Sequence, residues 1–139
     1  MNKALLDTDI LSEILRGVDA TVGGRARAYR SAFNHLTVSV ITIMEMVKGL
    51  QKVQRPRQIA SLLVLLRSEE ILGFDRPAAE MAGRIWGDLE RTGQPVGLAD
   101  PMIAAVAMRH GLELVTGNTA HYQRIQRLGY PLSLANWRV

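Results

Sequence analysis

The 139-residue sequence has no cysteine. Disulfides and thiolate metal sites are therefore excluded, as fits a reducing cytoplasm. It has no apolar run long enough to cross a bilayer. Its start lacks the basic region, long apolar stretch and small-residue cleavage site of a secretory signal. A soluble cytoplasmic protein is expected, with no membrane partner. Aromatic residues make up only 5% of the chain, so a base-stacking platform is not expected. Lysine is scarce too. Of 17 basic residues only Lys3, Lys48 and Lys52 are lysines. The arginines that replace it suit paired contacts with phosphate. A net charge of +4 and a pI near 10 favour polyanionic partners, although a charge of that size also serves solubility alone. There is no internal repeat and no low-complexity linker. The length suits a single domain over residues 1–139 with a core that needs no staples.

Hydrophobic patterning gives alternating short strands and helices. Lys3 to Leu6 reads as a buried strand, followed by a helix from Ile10 to Arg16 that Asp9 or Thr8 would cap and Gly17 would end. Asp19 to Ala32 reads as an arginine-rich helix weakened by Gly23 and Gly24. The β-branched stretch Leu36 to Val40 reads as a second strand. Thr42 to Val53 and Pro56 to Leu66 read as helices, and Glu70 to Phe74 as a third strand. Asp75 and Pro77 open a long helix to Thr92, stopped by Gly93. Asp100 opens the helix PMIAAVAMRH, Leu112 to Thr116 forms a fourth strand, and Asn118 to Arg127 a last helix. The segment PLSL, beginning at Pro131, is expected as an edge strand. Strands separated by helices imply right-handed parallel crossovers. The expected fold is an α/β/α three-layer sandwich with a mainly parallel four- or five-stranded sheet.

In such sheets, sites form beyond the carboxyl ends of the strands. Four polar residues fall at those junctions: Asp7, Glu45, Asp100 and Asn118. Each has a local explanation. Asp7 can bind nearby backbone N–H groups, and Thr42-Ile43-Met44-Glu45 matches a capping box in the first turn of its helix. Asp100-Pro101 is a natural cap followed by a first helical residue, and Gly117-Asn118 is ordinary turn chemistry. Local explanations do not account for acids recurring at one end of the sheet. Clustered carboxylates repel one another and need a counter-charge. Oxygen donors without cysteine or paired histidine favour Mg2+ or Mn2+ over zinc. Either ion can polarise a phosphoryl oxygen and acidify a bound water.

The segments LLDTDILSEIL, SVITIMEMVKGL, GQPVGLADPMIAAVAMRHGLELVTGN and GYPLSLANW resemble the PIN-domain ribonucleases, in particular VapC-type toxins of bacterial type II toxin–antitoxin systems. The resemblance runs from Leu5 to Trp137. It implies an α/β/α sandwich and Mg2+- or Mn2+-dependent endoribonuclease chemistry. By motif, Asp7 and Asp100 would be the principal metal ligands and Glu45 would complete the acidic cluster. Asn118 falls where relatives carry Asp or Asn, and Thr116 and Thr8 would support the site. The resemblance also implies an RNA substrate, a homodimer and a cognate VapB-type antitoxin. Three features depart from the pattern. Asp9 replaces the usual Asn, Pro101 follows Asp100, and Asn118 brings no charge.

Arg16, Lys48 and Arg84 are candidates for guiding RNA phosphates, with a solvated helix face as the competing reading of each. His110 suits the C-terminal end of a helix. His35 is isolated, and His121 reads as a surface residue within reach of substrate phosphate. Two rival functions remain. One is a catalytically weak or inactive RNA-binding PIN module, for which Asn118 is the best argument. The other is a phosphatase with an Asp nucleophile in Asp7-Thr8-Asp9, which the absence of any lysine beyond Lys52 opposes.

Overall fold

A computed structural model describes residues 1–95 and 97–139. The elements run β1 (Ala4–Leu6), α1 (Thr8–Arg16), α2 (Ala20–Phe33), β2 (Thr37–Ser39), α3 (Val40–Lys52), α4 (Pro56–Leu66), β3 (Glu70–Leu72), α5 (Arg76–Arg91), α6 (Ala99–Arg109), β4 (Glu113–Val115), α7 (Thr119–Arg127) and β5 (Leu134–Ala135). All recorded strand pairs are parallel: β1 with β4, β4 with β5, and β2 with β3. The strands β1 and β2 lie side by side without a shared ladder, giving the spatial order β3-β2-β1-β4-β5.

Alternation along the strands builds the three layers. Leu5 and Leu114 face a core shared with α5, α6 and α7. Their neighbours Ala4, Leu6 and Val115 face the opposite core, shared with α1, α2 and α4. Side chains of adjacent strand residues point to opposite faces, so one short apolar strand feeds both cores. Helix α6 is buried at Pro101 and from Ile103 to Ala107. Its alanines add little bulk there.

Between β1 and β2 a side chain does the work of a ladder. The hydroxyl of Tyr29, fully buried on α2, accepts from Ala4 N at 3.2 Å and lies 3.1 Å from Ala4 O. It also lies 2.8 Å from Thr37 Oγ1, and the Thr37 hydroxyl donates to Glu70 Oε1 at 3.0 Å. Backbone groups that a β1–β2 ladder would satisfy are met by this phenol instead.

Several helix starts differ from expectation. Helix α1 begins at Thr8, with Asp7 as its cap residue. The pairing of Leu6 with Val115 ends β1 directly before it. Helix α3 begins at Val40, and Ser39 Oγ accepts from Thr42 N at 3.3 Å. Thr42 is therefore inside the helix, Glu45 lies in its second turn, and the capping-box reading fails. Helix α6 begins at Ala99 without a side-chain cap, and Asp100 sits in its first turn rather than at the cap. The last strand is Leu134–Ala135, past Pro131. Elsewhere the expected signals act as read. Asp19 and Asp75 cap α2 and α5, and Gly17, at φ 69°, ends α1 in the left-handed conformation that glycine adopts freely.

Candidate active site

The parallel register of β1 and β4 sets the first corner of the site. Leu6 stands opposite Val115, so Asp7 and Thr116 emerge together. Asp7 N donates to Val115 O at 2.9 Å. The Thr116 hydroxyl donates to Asp7 Oδ2 at 2.8 Å, and Thr8 N donates to Oδ1 at 2.9 Å. Both carboxylate oxygens are thus held, yet the residue is only 8% exposed. Burial, reinforced by the charges of Asp9 and Asp100, outweighs those hydrogen bonds and raises the Asp7 pKa from 3.8 to about 6.

Asp100 reaches the crevice from the start of α6. Its Oδ2 lies 2.8 Å from His121 Nδ1, and Tyr122 donates its hydroxyl proton to Oδ1 at 3.3 Å. Tyr122 is 1% exposed, and its hydroxyl also lies close enough to Asp7 to feel that carboxylate. Burial and the two neighbouring carboxylates push this phenol well above its ordinary pKa, so it stays a proton donor. Asp7 and Asp100 are therefore close enough to act on each other, with the Tyr122 hydroxyl beside both and bonded to Asp100.

Glu45 approaches from α3 through threonines. The Thr8 hydroxyl makes a short hydrogen bond to Glu45 Oε1, and lies 3.0 Å from Thr42 Oγ1. Thr8 directly follows Asp7, which puts Glu45 one side chain away from that carboxylate. Among the described residues, no three acidic or histidine side chains converge into a ready-made metal cage. Thr8 holds one outer carboxylate, and His121 and Tyr122 hold the other. The donor chemistry nonetheless fits a hard divalent cation. The site offers carboxylate and hydroxyl oxygens, and its central carboxylate carries a buried charge that its own hydrogen bonds do not offset.

The remaining candidates fall at different distances from this centre. Asn118 is exposed at the start of α7, and its side chain does not cap that helix. Its backbone N–H donates to Thr116 Oγ1 at 3.0 Å, so the turn it occupies positions the threonine that holds Asp7. Lys48 is exposed on α3, three residues beyond Glu45 and on the same side of the helix. Arg16 is paired with Glu13 in the last turn of α1, away from Asp7. Arg84 lies on α5 near the Tyr130 hydroxyl, which is bonded to Asp88 rather than to any site residue. His35 Nδ1 lies 3.0 Å from Ser68 O, and His110 caps the end of α6. Asp9 caps nothing. Its Oδ2 accepts from Gly117 N at 3.0 Å, while Oδ1 is buried without a hydrogen-bond partner.

Tyr122 and His121 are the site neighbours that sequence reasoning undervalued. Their signal was spacing: they stand three and four residues beyond Asn118 and return to the same helix face.

A three-layer α/β sandwich with carboxylates gathered past the carboxyl ends of β1 and β4 has the architecture of a PIN domain. The PIN-domain family model matches residues 4–128, and the chain belongs to that family. Its relatives are more particular. It is 34% identical over 126 residues to the tRNA(fMet)-specific endonuclease VapC of Shigella flexneri, covering 90% of this chain and 93% of the relative. It is 30% identical over 138 residues to ribonuclease VapC10 of Mycobacterium tuberculosis H37Rv, covering 96% of each. Among solved structures, the DNA-bound VapBC of Salmonella typhimurium is similar with a TM-score of 0.81, 30% identity and 99% of both chains covered. The aspartyl-phosphatase reading of Asp7-Thr8-Asp9 is set aside with this result.

Proposed function

We propose that the protein is a metal-dependent endoribonuclease that hydrolyses RNA phosphodiester bonds, and the toxin member of a VapBC-type toxin–antitoxin pair. The observation that carries this reading is the convergence of Asp7 and Asp100, close enough to act on each other, beside the buried Tyr122 hydroxyl. Asp7 and Asp100 would hold Mg2+ or Mn2+, with Glu45 directly or through water. Such an ion, when bound, polarises a phosphoryl oxygen and supplies hydroxide at neutral pH. The chain's own groups do the positioning. Thr116 and the Thr8 N–H fix both oxygens of Asp7. His121 and Tyr122 fix Asp100. Glu45, aimed by Thr8, orients a water for in-line attack. The N-terminal turns of α1 and α6 add positive potential where phosphate charge must sit.

The VapC relatives and VapBC neighbours support the RNA substrate and the VapB-type antitoxin; a homodimer and a cytoplasmic setting are part of the same proposal. Exposed Leu63, Val64 and Leu65 on α4 offer apolar surface for protein contacts. The experiment is cleavage of an RNA pool, including initiator tRNA, with Mg2+ or Mn2+ and with chelator. Cleavage should appear with metal, vanish with chelator, and be abolished by Asp7→Asn or Asp100→Asn without loss of fold. Wild-type cleavage rates in either variant, or chelator-insensitive cleavage, overturn the proposal. The uncharged, exposed Asn118 favours one second reading, a PIN module that binds RNA without cutting it. RNA retention with no cleavage under every metal condition would select that reading.

A further inference from the structure

The acidic crevice needs a cation to receive a phosphate, and the cations expected from sequence do not all face it. Arg16 is paired with Glu13, and Arg84 lies near Tyr130 and Asp88 instead; Arg124, which sequence did not single out, is bound to Pro95 O and His121. The segment after β5 supplies another. β5 pairs in parallel with β4, and Thr116 N donates to Ala135 O at 2.9 Å, so the chain leaves β5 at the end of the sheet where Asp7 lies. Trp137 is 3% exposed and packs 5.8 Å from the Tyr29 ring, centroid to centroid. Arg138 N donates to Asn136 Oδ1 at 2.9 Å, and Arg25 donates to the main-chain oxygen of Val139 at 2.8 Å. Pinned on both sides, Arg138 lays its guanidinium over Gly117. A β-carbon at Gly117 would lie 3.1 Å from Nη1 and 2.6 Å from Asp9 Oδ2. Gly117 follows Thr116, the residue that holds Asp7.

We propose that Arg138 is a phosphate-binding residue of this site, which leaves Asp9 to take an RNA backbone phosphate at the mouth of the crevice. The proposal rests on the ribonuclease reading. Three observations support it. The Arg138–Asp9 pair is loose: Nη2 stands 3.9 Å from Oδ2, and the two side chains are 39% and 34% exposed. A pair of that kind is screened and weak. Asp9 Oδ2 is already engaged by Gly117 N, so the guanidinium keeps its donors for a stronger acceptor, and phosphate accepts two of them in parallel. Finally, the buried Trp137 anchor fixes the backbone in advance, which lowers the entropy lost on binding.

The test is affinity for a labelled RNA in chelator, measured across a salt series, for wild type, Arg138→Gln, Arg138→Lys and Asp9→Asn. Arg138→Gln should weaken binding about fivefold and lower the slope of log K against log salt by about 0.7. Arg138→Lys should restore part of both. Asp9→Asn frees the guanidinium and should tighten binding. If Arg138 merely braces the fold, Arg138→Gln and Asp9→Asn will shift in the same direction with an unchanged salt slope, and the proposal fails. Loss of antitoxin binding with intact RNA affinity would overturn it equally. Wild-type cleavage with unaltered RNA affinity in Arg138→Gln defeats this inference and leaves the nuclease reading standing. A wild type that neither binds nor cleaves RNA defeats both.

Discussion

Replacing Asp7 with Asn should stabilise the protein while silencing it. The folded-state pKa of Asp7 is raised from 3.8 to about 6. Its folded form therefore binds a proton more tightly than its unfolded form. The resulting cost is absent below the unfolded pKa, grows as pH rises through the folded pKa, and is complete above about pH 7. Two pKa units correspond to about 3 kcal/mol against the folded state. Asn carries no such charge. Its amide oxygen can keep the Thr8 N–H, and its NH2 group can donate to a rotated Thr116 hydroxyl. Imperfect geometry returns roughly 1 kcal/mol, leaving a net gain of about 2 kcal/mol near pH 8. For a chain of this size that is a Tm increase of about 5 °C. Thermal unfolding in chelator across a pH series is the assay. The variant's advantage should be present near pH 8 and gone near pH 4. Millimolar Mg2+ should then raise the Tm of wild type but not of the variant. An advantage that ignores pH, or a variant less stable than wild type near pH 8, refutes the reasoning that Asp7 carries an uncompensated buried charge.

Other outcomes follow from the same geometry. Tyr122→Phe keeps the buried ring but removes the hydroxyl that holds Asp100 beside Asp7. The melting temperature should change little and RNA cleavage should fall about tenfold, as expected for lost positioning; unchanged rates in a cleavage assay would dismiss that role. Tyr29→Phe leaves Ala4 N–H and Thr37 Oγ1 short of a partner in the core. It should cost about 1–3 kcal/mol in denaturant unfolding. A loss below about 0.5 kcal/mol would mean that β1 and β2 need no such bridge.

Sequence order carried the alternation of strands and helices, because buried β-branched runs and clear stop signals such as Gly17 and Asp75-Arg76-Pro77 act locally. Three helix starts were misplaced for one shared reason. Asp7-Thr8-Asp9 offers consecutive capping residues, Ser39 competes with Thr42, and Asp100-Pro101 imitates a cap. For α1 and α3, the pairing of strands far apart in sequence decides where the helix takes over. In the site, the Asp7–Thr116 contact was legible from the resemblance and from the strand-end rule. Tyr122 was not, because an aromatic residue spaced three from Ile125 looks like core, and it is core on every side except its hydroxyl. Arg138 was invisible for a different reason. It meets Asp9 from the far end of the chain, and no local pattern foretells that meeting.

The site also straddles a joint. Asp7 and Thr116 belong to the three-stranded half of the molecule, whereas Glu45 rides on α3 behind the two-stranded half. A shared apolar core with phenol and threonine hydroxyls, not backbone rungs, joins these halves. The distance between Glu45 and its partner acids is therefore set by side-chain packing rather than by a ladder. Anything that pries α3 away from α1 would switch the crevice off by spreading its jaws, with no need to unfold either half.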